Sequence, residues 1–144
     1  IKELETFYDT WQENNNVIDK WFSTQAIYTN PKKSILTIRR LAEHHAFSPR
    51  NPNRFRSLIG SFASGNLCGF HSPEGDGYNI VTEWLMKLDE INPQTAAQVC
   101  TVFDNWKIFD KKRQEKIKKT LGRLLSMNDV SRNTFEIVTK ILKE

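Results

Sequence analysis

The sequence predicts an all-α fold, an α-solenoid (a HEAT- or armadillo-like superhelix) of antiparallel helix pairs. Three observations carry this expectation. Apolar residues recur with helical periodicity along the chain, and sustained strand alternation bounded by turn signals is absent. One start signal, Asn-Pro, occurs at Asn30-Pro31, Asn51-Pro52 and Asn92-Pro93, where asparagine can cap and proline can occupy the first helical position. The helices then pair at about 30 to 35 residues per unit, the spacing of helical solenoids. No repeat consensus is visible, so a compact helical bundle is the alternative.

Taken in order, Leu4, Phe7, Tyr8 and Trp11 share one helical face. The polar Asn14-Asn15-Asn16 turns the chain into a second helix carrying Val17, Ile18, Trp21 and Phe22, which gives a first hairpin. Ile35, Ile38, Leu41 and Ala42 are the buried stripe of the helix opened by Asn30-Pro31. The helix from residue 53 to 64 stops at Gly65, and the stretch 65–77 holds Gly65, Gly69, Gly75 and Gly77, the one real loop, with a short turn around Cys68 to Phe70. Ile80, Val81, Trp84, Leu85 and Leu88 mark the next helix, and Ala96, Val99, Cys100, Phe103 and Trp106 are expected on the helix opened by Asn92-Pro93. Helices near 111–126 and 131–143 finish the chain.

A chain of 144 residues is long enough for one core and suggests a single domain, 1–144. At 38% hydrophobic and 26% charged, with no low-complexity tract, it reads as an ordinary soluble globular protein. No window approaches the roughly 20 apolar residues of a membrane span, so no membrane partner is expected. The first residue is Ile1 and not methionine, as in a fragment or a processed product. Cys68 and Cys100 are too few for a disulfide framework and are expected as free thiols in a reducing compartment. The net charge of +4 is a modest excess that says little about nucleic acid.

Candidate chemistry is thin. The three histidines offer no H-E-x-x-H spacing: His44 and His45 are adjacent, and Cys68 with His71 is half of a C-x-x-H pattern without a second half, so no metal site is expected. Ser61 and Ser64 precede His71 and Asp76 without any G-x-S-x-G elbow. Gly75-Asp76-Gly77 reads as a turn ahead of a helix. Lys112, Lys116, Lys119 and Arg123 form one basic stripe, opposite Ile117, Leu121, Leu124 and Leu125. No aromatic residue interleaves with these charges, and the stripe reads as a solvated face. Arg50, Arg54 and Arg56 surround a helix start whose own partial charge is positive. Either each pairs with a carboxylate inside the domain or snorkels over its surface, or they meet carboxylates of a further domain or of a ligand.

Several stretches together carry a family likeness. Asp19-Lys20-Trp21-Phe22, the N-P-N-R-x-R-x-L-I-G run from Asn51 to Gly60, Phe70-His71, Leu88-Asp89, Asn92-Pro93-Gln94 and Asp110-Lys111-Lys112-Arg113-Gln114 occur in this order. The chain closely resembles the C-terminal helical domain of the bacterial aminopeptidase N family, the zinc alanyl aminopeptidases. The resemblance implies a noncatalytic domain of a larger, cytoplasmic, multidomain exopeptidase that removes N-terminal amino acids from peptides. Catalytic residues and zinc would belong to an upstream domain, and no cofactor to this one. The domain would cover the catalytic chamber, with that upstream domain and peptide substrates as its partners. By the same resemblance Arg56 faces the chamber and Gln94 lies near the pocket for the substrate's N-terminal side chain. Gln98 stands where the family often has arginine, so a positive charge is missing there. The alternative function is a free-standing helical scaffold binding protein or nucleic acid through the basic stripe.

Overall fold

The computed structural model describes residues 2–143. Among them every regular element is helical: α1 (Lys2–Trp11), α2 (Asn15–Tyr28), α3 (Ser34–Ala42), α4 (Pro52–Phe55), α5 (Ser61–Gly65), α6 (Leu67–Phe70), α7 (Asp76–Ile91), α8 (Pro93–Val99), α9 (Lys111–Leu125) and α10 (Arg132–Lys143). All three Asn-Pro pairs open helical segments, α4 and α8 directly and α3 by way of a 3-10 turn. The side-chain oxygens of Asn30, Asn51 and Asn92 accept from the amides of Lys32, Arg54 and Thr95, which satisfies donors that a helix start leaves open. Asn14 and Asp110 cap α2 and α9 in the same way.

The helices stack in pairs as a solenoid does. α1 packs on α2, and α2 on the helix running from Pro52 to Gly65; further along, α7 packs on α8 and α9, and α10 on α8 and α9. Phe22, Phe55, Leu58 and Phe62 fill the first half of the core, while Leu85, Phe103, Leu121 and Val138 fill the second. Edge-on aromatic contacts join the halves: Phe62 to Phe70 at 6.2 Å, Phe70 to Tyr78 at 5.2 Å, and Phe47 to Trp84 at 5.3 Å between ring centres, geometries that favour the ring quadrupoles.

Three local features depart from the expected helices. Asn30-Pro31 opens a 3-10 turn, Pro31–Lys33, before α3 begins. The helix from Pro52 to Gly65 is α-helical only at its ends, because Arg56–Gly60 is π-helical. Its buried residues explain the wider turn. Arg54, Phe55, Leu58, Ile59, Phe62 and Ala63 recur every fourth position, and a 3.6-residue helix would rotate such a stripe steadily away from the core. A turn with i to i+5 bonding holds it in place. The helix from Pro93 ends at Val99, and the chain continues as two 3-10 turns, Cys100–Phe103 and Trp106–Ile108. Cys100, Phe103 and Trp106 stay buried, since a three-residue turn puts positions three apart on one side.

The first hairpin also forms, but α1 buries only Tyr8, leaving Phe7 and Trp11 41% and 45% exposed. In the glycine-rich stretch, α6 occupies the expected turn around Cys68 to Phe70. Gly75 takes φ 84°, and its left-handed conformation turns the chain into α7. Both cysteines are free; Cys68 is exposed, and burial pushes the Cys100 thiol up to about 12. No helix among the described residues is long and apolar enough to cross a membrane.

Candidate functional site

The three arginines at the start of the 52–65 helix have different fates. Arg54 is buried and turned inward. Its Nε donates to Asp19 Oδ1 at 2.5 Å, its Nη1 to the Ala46 carbonyl at 2.5 Å and its Nη2 to Asn15 Oδ1 at 3.4 Å, and its guanidinium carbon lies 5.5 Å from the Phe22 ring centre. An internal carboxylate and internal carbonyls therefore satisfy this charge, and Arg54 does not look outward. Arg50 and Arg56 are exposed. Removing Asp19 strands a buried cation. Asp19→Asn should lower unfolding free energy by about 2–3 kcal/mol in urea titrations. Glu136→Gln, which removes the charge facing Arg132 in an exposed pair, should change it far less, because solvent screens such pairs. Equal effects would remove any special role for the buried pair.

Arg56 lies on the rim of a shallow groove of about 270 Å³. One side is the π segment and α5, contributing Arg56, Gly60, Ser61 and Ser64; the other is Gln98, Val99 and Val102. Arg56 Nη2 donates to Asn53 Oδ1 at 2.8 Å, and among the described residues no carboxylate pairs with it. The serine hydroxyls point back along the helix, Ser61 donating to the Arg56 carbonyl at 3.3 Å and Ser64 to the Gly60 carbonyl at 2.8 Å. They are thereby occupied, and neither contacts a histidine. The Gln98 side chain is exposed, and among the described residues its amide forms no hydrogen bond. Gln94 is also exposed, one turn earlier on α8, and does not line the groove. The fold thus brings Arg56 and Gln98 together and sets Gln94 to one side. Val99, at the end of α8, and Val102 complete the wall; Val102 was not anticipated, because its position depends on the 3-10 turn that follows α8. The i, i+4, i+8 spacing of Arg56, Gly60 and Ser64 was the available signal for the opposite wall.

The remaining constellations are structural. His71 Nδ1 and the Tyr78 hydroxyl are 2.6 Å apart, and the His71 ring stacks on Phe109 at 4.0 Å. Burial, then the Arg113 charge, holds the His71 pKa below its usual value, while burial raises Tyr78 to about 12. Arg113 Nε donates to the His71 carbonyl at 2.7 Å and Nη1 to Asp110 at 2.7 Å, which ties α9 to the loop before α7. On α9, Lys112, Lys116, Lys119 and Arg123 are exposed, while Ile117, Leu121 and Leu124 are buried. Among the described residues no three His, Cys, Asp or Glu side chains converge as metal ligands would.

Residues 2–143 match the family described as "Domain of unknown function (DUF3458_C) ARM repeats". The chain is 40% identical to aminopeptidase N of Escherichia coli K12 over 140 residues and 41% identical to that of Haemophilus influenzae Rd over 141. These alignments cover 96% and 97% of this chain but 16% of each relative. A crystal structure of Legionella pneumophila aminopeptidase A in complex with aspartic acid superposes with a TM-score of 0.90 at 35% identity, over 97% of this chain and 16% of that one. The chain therefore spans about one sixth of the length of the curated relatives it matches. Paired helices, Asn-Pro starts and the match from end to end of the described residues agree: the chain belongs to this ARM-repeat family, the C-terminal helical domain of bacterial aminopeptidase N.

Proposed function

We propose that this chain, a single domain over 1–144, is the noncatalytic helical wall of a zinc-dependent, alanyl-type aminopeptidase N, which acts in the bacterial cytoplasm on the N-terminal residues of peptides. It packs on the upstream catalytic domain, covers the chamber and contacts the peptide. The observation that carries this reading is the convergence of Arg56 and Gln98 on one groove with an apolar wall. An extended peptide presents carbonyls and a terminal carboxylate. The Arg56 guanidinium can donate to either, and a charge-assisted bond fixes position without any chemistry. Gln98 offers both a donor and an acceptor to backbone groups, while Val99 and Val102 take apolar side chains. Gln94, one turn along α8, extends the polar line beyond the groove. Where family relatives often carry arginine, neutral Gln98 makes the groove less attractive to an acidic side chain.

In this reading zinc would be held by the upstream domain and would supply Lewis-acid chemistry there. On the same reading this chain's contribution is binding, orientation and exclusion of folded proteins.

The test is Arg56→Ala in the full-length enzyme. Arg56 is exposed, so zinc content and melting temperature should not change. If it holds substrate through one charge-assisted bond, kcat/KM should fall by about tenfold or more for longer peptides and much less for a single-residue chromogenic substrate. Unchanged kinetics at every peptide length would take Arg56 out of the substrate path. Complementation tests the domain as a whole: this chain, added to the separately expressed upstream part, should bind it and restore hydrolysis of an alanyl peptide. A folded chain that neither binds nor restores would favour a free scaffold acting through the basic face of α9, whose nucleic-acid affinity would then fall steeply with salt.

A further inference from the structure

A second concavity, of about 340 Å³, lies where α1, α2 and the end of α3 meet, and it shares no lining residue with the Arg56 groove. Its volume is at the small end for ligand pockets. The apolar part is aromatic: the rings of Tyr8 and Trp21 are 5.1 Å apart, Tyr8 meets His44 edge-on at 4.7 Å, and Leu41 lies beside them. These rings are fixed in place. Trp21 Nε1 donates to the Leu4 carbonyl at 2.9 Å, and the Tyr8 hydroxyl is 2.9 Å from His45 Nε2.

The charges around this aromatic floor are separated by sign. Glu5 and Asp9 lie one turn apart on α1, and Arg40 stands on α3. The ion pairs among the described residues are Arg54–Asp19, Arg113–Asp110 and Arg132–Glu136, so Glu5, Asp9 and Arg40 are not spent on one another. His44 adds a directed donor. Its Nδ1 accepts from the Ala46 amide at 3.0 Å, which places the ring proton on Nε2, where it meets no acceptor among the described residues. Burial, the His45 ring and Arg54 lower the His44 pKa, in keeping with a neutral ring.

We propose that this concavity binds a free α-amino acid, with its ammonium on Glu5 and Asp9, its carboxylate on Arg40 and His44 Nε2, and its apolar side chain on Tyr8, Trp21 and Leu41. A dication would bring like charge to Arg40, and a dianion would bring like charge to Glu5 and Asp9. A neutral apolar molecule would desolvate all three charges without compensation. A zwitterion with an apolar side chain is the small ligand that meets every wall. The site does not depend on the substrate role given above to Arg56. In an aminopeptidase it would also sense the class of molecule that the reaction releases.

The test is titration of the 144-residue chain, once a cooperative thermal melt shows that it folds alone, and otherwise of the full-length protein, with L-leucine, L-leucinamide and N-acetyl-L-leucine, followed by calorimetry and by the NMR signals of Tyr8, Trp21 and His44. Leucinamide retains only the positive charge and N-acetyl-leucine only the negative one. Leucine should bind saturably and shift these signals, and each analogue should bind about tenfold or more weakly, since each loses its charge-assisted bonds. Arg40→Gln should reduce leucine to the affinity of leucinamide, and Glu5→Gln with Asp9→Asn should reduce it to that of N-acetyl-leucine. These side chains are exposed and form no ion pair among the described residues, so unchanged circular dichroism and melting temperature confirm that the variants fold. Three results would overturn the proposal: no saturable shift up to the solubility of leucine, leucinamide binding as tightly as leucine, or full leucine affinity in Arg40→Gln.

Discussion

Gly77→Ala should destabilise the domain by about 3 kcal/mol or more, the upper range for forcing an atom into a packed interior. A Cβ built at Gly77 would lie 2.4 Å from the Phe70 carbonyl oxygen, 2.5 Å from that of Gly69 and 2.7 Å from Phe70 Cα. All three are backbone atoms, so no side-chain rotation relieves the clash. The start of α7 would have to lift off α6. That movement would separate Tyr78 from His71, now 2.6 Å apart, and part the Phe70 and Tyr78 rings. Because α6 and α7 join the two halves of the stack, the loss should appear in the global unfolding transition. Gly122→Ala is the control. Nothing lies within 4 Å of a Cβ there, and removing a glycine from the last turn of α9 should stabilise, by at most roughly 0.5–1 kcal/mol. Chemical denaturation of both variants checks the pair of signs. A Gly77→Ala protein as stable as the parent would mean that α6 and α7 are not held as closely as described.

Asp89→Ala should cost about 3–4 kcal/mol and loosen α10 first. Asp89 is 2% exposed, near the end of α7, and its carboxylate accepts from the Ser131 amide at 2.7 Å, the Ser131 hydroxyl at 2.5 Å and the Thr134 hydroxyl at 2.6 Å. Ser131 Oγ in turn accepts from the Thr134 amide at 3.1 Å. Ser131 is thus the residue that caps α10, a carboxylate from another helix holds that cap in place, and the helix dipole favours the negative charge placed there. Hydrogen bonds to a charged group contribute roughly 1.5–3 kcal/mol each and are not additive. Truncation leaves three donors without their acceptor in a closed site, whereas Asp89→Asn retains the shape and one acceptor oxygen and should cost about half as much. Hydrogen exchange should show α10 amides losing protection before those of α7. Since Trp106 Nε1 donates to the Ile141 carbonyl at 2.9 Å, Trp106 fluorescence should report the same opening. Uniform loss across all helices would instead mean that α10 has no separate dependence on this cap.

Both sites show how pairing partners escape a linear reading. Leu88-Asp89 was legible as part of a family motif, but a carboxylate inside an apolar stripe does not announce which helix start it will hold. The partner is 42 residues away. The arginines at residues 50 to 56 looked equivalent in sequence, all at a helix start that disfavours cations. Arg54 alone lies in the four-residue stripe that turns inward, and Asp19, 35 residues earlier, receives it.

What the sequence determined by itself is the local code: helical periodicity, the asparagine caps, the glycine turn before α7 and the apolar stripes that must be covered. These depend on neighbours within a turn or two, so they can be read directly. Tertiary structure decided what depends on distant residues meeting. The burial stripe of residues 54–63 is held by a π segment because the core accepts side chains every fourth residue there. Phe103 and Trp106 are buried on 3-10 turns because α10 covers them. Arg56 and Gln98 share a groove while Gln94 does not, since the angle between two helices sets that choice, and no local pattern encodes it.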